Sequence, residues 1–362
     1  MPSSQIPALV VGTGFGCRIQ VPALRAAGFE VVGLVGADAG RTRERAELNG
    51  VAHDFTDVDA AIAATGAKAV AISTPPHAHA PVTLAAIARG CHVICEKPFA
   101  KDADEARAML EAAERAGVVH LMGHEFRFAS ERAAMARAIA AGAIGEPKLA
   151  TFTELTPMLV TGGEMPSWWF DVEEGGGWLG ASSPHLIDWI RFALGDFESL
   201  SASLGVLAAQ NGQADDSYTF RFRLKSGLEG VVQRCAASWG PPVSVTRVMG
   251  GAGSIWLEAG EVKVADKDGT RTLAIDDDLR LPPLPALSAD PRNEWPKWQR
   301  LRAVELAPYI RLCEAFGDLI EGRTPPPIAP LPTFRDGLAS MLAIDAVRAS
   351  AARGGELVKL DG

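Results

Sequence analysis

The first 125 residues alternate two kinds of segment, and few folds accommodate that alternation. Short apolar runs, "ALVVG" (8–12), "FEVVGLVG" (29–36), "AKAVAIS" (67–73), "CHVICE" (91–96) and "VVHLMG" (118–123), are separated by stretches of helical period such as "RTRERAELNG", "PVTLAAIARG" and "DADEARAMLEAAERAG". A strand that is apolar throughout is buried on both faces, so helices must cover both sides of the sheet. The pattern is that of a parallel, doubly wound sheet. Gly28, Gly90 and Gly117 stand where the helices should stop.

From about residue 148 the pattern changes. "SYTFRFRL" (217–224) places Tyr218, Phe220, Phe222 and Leu224 on one face and Thr219, Arg221 and Arg223 on the other. Period-two alternation of this kind marks a half-buried antiparallel strand. "LEGVVQRC", "VSVTRVMG", "GSIWLEAGEVKVAD" and "TRTLAI" continue it, with "KSG" and "KDG" as turn signals. The proline-rich "LPPLPALSADP" (281–291) reads as a surface loop, followed by helices around 303–321 and 334–353. We therefore expect a dinucleotide-binding α/β domain over residues 1–125 and a second, mostly antiparallel α+β domain over 126–362. The length of 362 residues fits two domains at about 150 residues each.

Composition narrows the function. With 48% hydrophobic and 22% charged residues the chain is an ordinary globular one, and its net charge of −9 is spread along the sequence. No basic face is left for a nucleic-acid backbone. The N-terminus has no basic leader region and no apolar run reaches about 18 residues, so no membrane association is expected and a cytoplasmic location is. Five scattered cysteines suit a reducing compartment better than a disulfide framework. Along a strand, the cysteines of "CHVIC" (91–95) would lie roughly 13 Å apart, too far to bond. "HAH" (77–79) has no accompanying cluster of His and Asp, and no metal is expected.

"VVGTGFGC" follows the first strand and precedes a helix. Gly12 permits a tight turn, and Gly14 lets the backbone approach a pyrophosphate seated on the helix N-terminus. The third small position is Cys17, still compact enough for close packing of helix on strand. Beyond the second strand, an acidic residue would accept the ribose hydroxyls of NAD and repel a 2′-phosphate. "LVGADAGRTR" offers Gly36 at the tip, then Asp38, Arg41 and Arg43, so both NAD and NADP stay open.

"GTGFG", "STPPHAH", "EKP", "GHEFRF", "AGAIGEP" and "GGG…HLID", in this order, resemble the Gfo/Idh/MocA family of NAD(P)-dependent oxidoreductases over nearly the whole chain. The resemblance implies an N-terminal Rossmann domain, a C-terminal open-faced sheet that often builds dimers or tetramers, and small substrates that are mostly sugars, polyols or related cyclic alcohols. It implies cofactor contacts from Gly12, Thr13, Gly14, Phe15, Gly16, Asp38, Arg41, Thr74, Pro75, His79, Glu96 and Lys97. Lys97 of Glu-Lys-Pro would lie near both nicotinamide and substrate hydroxyl, and the peptide before Pro98 is one that the family often holds cis. His79 would either cap a helix start or touch a ligand.

Within "EEGGGWLGASSPHLIDW" (173–189), three glycines precede a "SSP" cap and a helix that opens on His185. A histidine in this place is, by the resemblance, the acid/base on the substrate hydroxyl. The family's usual aspartate four residues earlier is replaced by Ala181, and Asp188 remains for substrate, packing or orientation. Trp168, Trp169, Phe170, Trp178 and Trp189 crowd this segment, as flat apolar rings do around a sugar face or in a core. Trp169 and Trp178 are taken as substrate candidates, together with Glu125 and Arg127 of "GHEFRF", which could equally pair with each other. The leading reading is an oxidoreductase acting on a secondary alcohol or its ketone. Its rivals are a lyase, epimerase or glycosidase that oxidises and re-reduces with tightly bound NAD, and a non-catalytic NAD-binding protein.

Overall fold

The computed structural model describes residues 5–161, 165–208 and 214–360, and the chain divides into two compact units. The first comprises residues up to Ala100, Asp104–Ala129 and Leu281–Leu338; the second comprises Lys101–Ala103, Ser130–Arg280 and Ala339 onwards. Apart from Lys101–Ala103, the chain leaves the first unit at Ala129. The proline-rich loop and the long helix behind it return to the first unit rather than staying with the second.

In the first unit, among the described residues, six parallel strands stand in the order β3-β2-β1-β4-β5-β6. They are β1 (Pro7–Val11), β2 (Glu30–Val35), β3 (His53–Phe55), β4 (Ala69–Ile72), β5 (His92–Cys95) and β6 (His120–Met122). Helices α1 (Val21–Ala26), α2 (Ala39–Leu48), α3 (Val58–Thr65), α4 (His79–Ala88) and α5 (Ala103–Ala116) make the crossovers. β4 is fully buried and β1 nearly so, as two-sided cover requires. Gly28, Gly90 and Gly117 adopt positive φ (87°, 73° and 64°) at the ends of helical segments, where only glycine is unstrained. β3 is short and only half-buried, which explains why no apolar run announced it.

The second unit holds α6 (Ser130–Ala140), β7 (Pro147–Leu155), α7 (Gly177–Ser182), α8 (Pro184–Leu194), β8 (Phe197–Gly205), β9 (Ser217–Leu224), β10 (Glu229–Cys235), β11 (Val243–Gly250), β12 (Ser254–Glu258), β13 (Glu261–Asp266) and β14 (Gly269–Thr272). α9 (Pro296–Ile320) belongs to the first unit, α10 (Phe334–Ala352) starts there, and β15 (Val358–Lys359) closes the second. Nine strands order as β14-β13-β12-β11-β7-β10-β9-β8-β15 among the described residues, antiparallel except for the β7–β10 pair.

β9 alternates as its sequence requires. Tyr218, Phe220, Phe222 and Leu224 are buried, while Arg221 and Arg223 are exposed. On the buried face Phe222 packs against Phe197 at 5.3 Å and Phe152 at 6.4 Å between ring centroids, and Trp189 of α8 meets Phe152 edge-on at 5.8 Å. Such ring contacts add to the burial energy. Gly230 faces the Phe222 ring where any Cβ would collide with it. The five cysteines are buried free thiols. No helix among the described residues is long and apolar enough to cross a membrane. Phe222→Ala should destabilise the second unit by about 3–5 kcal/mol, because the backbone cannot collapse into the space a large ring leaves. Urea unfolding followed by tryptophan fluorescence measures the loss.

Candidate functional site

In the first unit the candidate residues collect at the carboxyl ends of the strands. The strand order reverses direction between β1 and β4, and the crevice at such a reversal is where α/β sheets bind ligands. Gly12 turns the chain out of β1 with φ +125°, and a Cβ there would stand 2.6 Å from Ser73 Oγ and 2.7 Å from its carbonyl oxygen. No other residue fits so close to the neighbouring strand's exit. Gly14 is exposed, and a Cβ on it would meet no atom within 4 Å, so the open side of the turn faces free space. A π-helical turn, Gly16–Gln20, then runs into α1; its start carries no side-chain cap and no acidic residue. Free N–H groups and an unopposed helix dipole fit the pyrophosphate of a dinucleotide. Thr13 is half-buried, Phe15 packs edge-on against Tyr309 at 5.8 Å, and Cys17 is buried, as the small third position requires.

Beyond β2, Asp38 is exposed and caps α2, its carboxylate accepting the Arg41 N–H at 2.7 Å. Thr74 and Pro75 leave β4, Thr74 half-buried and Pro75 exposed. His79 lies wholly inside, with Nε2 2.8 Å from the Thr74 carbonyl oxygen and Nδ1 2.8 Å from that of Pro98. Burial pushes its pKa down to about 4, and a neutral ring donates to one of these two carbonyls. His79 thus braces the turn after β4 against the turn after β5. The Lys97–Pro98 peptide is cis.

Glu96 and Lys97 follow β5 directly, Glu96 buried and Lys97 half-buried. Burial raises the Glu96 carboxyl to about 7 although the Lys97 charge and a Tyr309 hydrogen bond pull it down. Glu125, in the turn Glu125–Phe128 after β6, is buried and pushed well above the usual carboxyl range by desolvation and by the charges of Glu96 and Glu305. Arg127 is buried too, its guanidinium 2.8 Å from Asp336 Oδ1 and 3.0 Å from the Pro330 carbonyl. The sequence reading missed Gln20, Glu305 and Tyr309, whose side chains meet this cluster from α9 and the first turn. A solitary tyrosine in an amphipathic helix carries no sign of the strand end it will reach.

In the second unit Trp169 lies in the turn Ser167–Phe170, its ring 5.7 Å from that of Trp178 on α7. His185 is half-buried on the first turn of α8, and Asp188 is buried one turn on. The expected serine cap is different in kind. The Ser183 hydroxyl bonds the Tyr218 hydroxyl, so no side chain caps α8 and its first turn begins at Pro184. The chain bends at Ser183, which puts Ala181 and His185 on separate helices. Asp215, at the start of β9's approach, accepts the Leu179 N–H at 2.7 Å and so holds the first turn of α7 from outside. Its carboxylate occupies the place a Cβ of Gly177 would take, and burial raises its pKa to about 6. Arg234 on β10 donates to the Ser182 carbonyl at 2.9 Å, pairs with Glu154 and lies 5.9 Å from the Trp178 ring centre. No group of three metal-ligating side chains occurs among the described residues.

A parallel sheet with a glycine turn at its reversal point and an uncapped helix start defines a dinucleotide-binding protein. The chain belongs to the Gfo/Idh/MocA oxidoreductases: residues 6–124 match that family's NAD-binding Rossmann fold and residues 133–256 its C-terminal domain. D-apiose dehydrogenase of Paraburkholderia graminis is 32% identical over 273 residues, 73% of this chain and 70% of that protein. 1,5-Anhydro-D-fructose reductase of Ensifer adhaerens is 34% identical over 213 residues, 58% and 62% of the two chains. Among solved structures, levoglucosan dehydrogenase in complex with NADH and levoglucosan superposes with a TM-score of 0.83 at 25% identity, over 99% of this chain and 100% of that one. Gly14→Val should leave the melting temperature within a few degrees, because its Cβ meets open space, yet weaken NAD(H) binding at least roughly tenfold by blocking the approach to the backbone. Calorimetric titration beside a thermal melt separates the two effects.

Proposed function

We propose that this protein is an NAD(P)-dependent dehydrogenase moving a hydride between nicotinamide and a secondary alcohol or ketone of a sugar, polyol or related cyclic substrate. The observation that carries the reading is the full-length likeness to a structure that holds NADH and levoglucosan together. The two relatives named above, a D-apiose dehydrogenase and a 1,5-anhydro-D-fructose reductase, favour the same substrate class. The turn at Gly12–Gly16 is the support for the pyrophosphate, with Thr74 and Pro75 beside it after β4. Asp38 is the residue to receive ribose hydroxyls, and Arg41 the one to receive a 2′-phosphate.

A nicotinamide dinucleotide held by the Gly12–Gly16 turn would supply the hydride acceptor or donor. Lys97 stabilises negative charge on the substrate oxygen as its proton leaves, a role that asks for a half-buried cation at a strand end. His185, half-buried on the first turn of α8, takes that proton. Trp169, half-buried, supplies an apolar face against the sugar ring, with the buried Trp178 packed behind it. Glu125 and Arg127, both buried, hold the turn after β6, and Asp188 orients the helix that carries His185. With Ala181 buried and uncharged, no carboxylate from that position takes part in the proton transfer.

We extend the reading to a homodimer or homotetramer built on the outer face of the nine-stranded sheet, where Arg221 and Arg223 alternate outward. Light scattering at micromolar concentration should return two or four times 38.1 kDa. For the activity, a screen of sugars, polyols and cyclic diols with NAD+ and NADP+ should yield net reduced cofactor. A cofactor that cycles without net change would instead mean a lyase or epimerase. Lys97→Met should lower kcat by roughly two orders of magnitude and leave cofactor affinity within severalfold, and His185→Ala should lower it by roughly 10²–10⁴. Unaltered turnover in both variants would remove these residues from the chemistry.

A further inference from the structure

The glycine turn after β1 is held from behind by a residue that comes from far along the chain. Arg292 lies in the short turn Pro291–Glu294, ahead of α9, and its side chain is 10% exposed. One edge of its guanidinium, Nε and Nη2, grips the Asp290 carboxylate at 2.9 and 2.5 Å. The remaining arm, Nη1, donates to the Thr13 carbonyl at 3.3 Å. Trp298 of α9 covers the guanidinium, 4.2 Å from its ring centre. A planar fork of this kind serves a carboxylate and a carbonyl in two fixed directions at once, which a lysine ammonium does not.

Asp290 keeps the fork in place. Its side chain is wholly buried, and it also accepts the Arg292 backbone N–H at 3.0 Å and Asn49 Nδ2, just past the end of α2, at 3.2 Å. A buried ion pair adds little net stability, since desolvation offsets the attraction. The Arg292 charge is moreover matched by Asp290, so it leaves no excess with which to attract a phosphate. What the pair does provide is direction. The peptide between Thr13 and Gly14 is trans and planar, so the Thr13 C=O and the Gly14 N–H point to opposite sides of the chain. With the carbonyl tied to Arg292, the Gly14 N–H faces the other way, at an exposed residue. The Thr13 side chain is confined as well: a Cβ on Gly36, just past β2, would stand 2.7 Å from Thr13 Cγ2. The residue between the two glycines is therefore held at its carbonyl and at its side chain.

We propose that Arg292 is a positioning residue for the dinucleotide: by holding the Thr13 carbonyl it aims the Gly14 N–H at the pyrophosphate, and Asp290 holds Arg292 in the place this requires. The inference rests on the reading of the Gly12–Gly16 turn as the pyrophosphate support. Arg292→Lys separates the positioning role from a structural one. The ammonium keeps a positive charge beside Asp290 but cannot grip the carboxylate and reach Thr13 together. A second variant, Asp290→Asn combined with Arg292→Met, removes the pair whole, so that no buried charge is stranded.

Calorimetric titration with NADH should show binding weakened at least roughly fivefold in Arg292→Lys and roughly tenfold in the double variant, as the loss of a charge-assisted hydrogen bond that orients a donor implies. The melting temperature of cofactor-free Arg292→Lys should stay within a few degrees of the wild type. The direct readout is the Gly14 amide signal in protein carrying isotope-labelled glycine, identified by its loss in Gly14→Val. Saturating NADH should move that amide proton downfield in the wild type, as a hydrogen bond to phosphate does, and by less than half as much in Arg292→Lys. Wild-type NADH affinity in a folded variant of either kind, or an amide shift equal to that of the wild type, would overturn the positioning role. Should Arg292→Lys fail to fold, the double variant carries the same test. Gly14→Val, titrated alongside, tells the two readings apart. If it binds NADH as the wild type does, the turn is not the pyrophosphate support and both readings fall; if it loses affinity while Arg292→Lys does not, the role of Arg292 alone falls.

Discussion

One close contact sets the geometry of the first unit: the backbone of Gly12 against Ser73, at the exits of neighbouring strands β1 and β4. A Cβ on residue 12 would overlap three atoms of Ser73, at 2.6, 2.7 and 2.8 Å. Because glycine stands there, β1 and β4 pair in register right up to their ends, Val11 opposite Ile72. The turn that follows then leaves the sheet at the point where the strand order reverses. The cofactor turn, the loop at Thr74 and, one strand further, Glu96 and Lys97 all emerge at the same edge as a consequence. A larger residue would force β1 and β4 apart and take this alignment with it.

The second constraint is the return of residues 281–338 to the first unit. α9 supplies Leu306, Tyr309, Ile310, Leu312, Cys313 and Phe316 to the core that contains Ile19, Leu24, Leu34 and Phe128, and Phe316 stacks on Phe29 at 5.8 Å. Ahead of the helix, Asp290 is held by Asn49 at 3.2 Å and by Arg292 at 2.9 Å, while Arg292 reaches the Thr13 carbonyl at 3.3 Å. The same returning segment thus covers the helices of the sheet, ties down the start of the cofactor turn and delivers Tyr309 to Glu96. Stability and the electrostatics behind Lys97 depend on one element whose residues Glu305 and Tyr309 lie more than two hundred positions away in sequence.

This division explains what could be read from the sequence and what could not. Strands β1, β2, β4, β5 and β6 were legible because burial on both faces leaves no polar position in them beyond the first residue, and β9 because burial on one face leaves every second one polar. The glycine turn was legible because it belongs to a short local pattern, and Lys97 and His185 were singled out on patterns of the same kind. β3, short and half-buried, leaves no such mark, and β7 reads "PKLATFTEL", too mixed to declare itself. Helix α9 was visible by period, but periodicity tells that a helix has an apolar face and not which core receives it. The boundary at 125 was therefore read as a single cut where the chain crosses over and comes back. Gln20, Glu305 and Tyr309 escaped for the same reason: their importance comes from long-range contacts, Gln20 with Tyr309, and Tyr309 and Glu305 with the charge of Glu96.

The second unit shows how a local departure from a family pattern is absorbed. Ala181 is 1% exposed, so a carboxylate in its place would need a cation of its own at that depth. Strand β10 offers Arg234, whose guanidinium holds the carbonyl of the neighbouring Ser182, but its charge is already met by Glu154, its cross-strand partner on β7. Burial moreover lowers the Arg234 pKa to about 9, which says how little room the interior has for further charge. The carboxylates next to α7 thus stand outside it, at Glu154 on the sheet and at Asp215 before β9. A small apolar side chain at 181 follows from that placement. α7 is then anchored by Asp215 at one end and Arg234 at the other, and the bend at Ser183 lets α8 start afresh, presenting His185 on its first turn without help from a carboxylate one turn earlier.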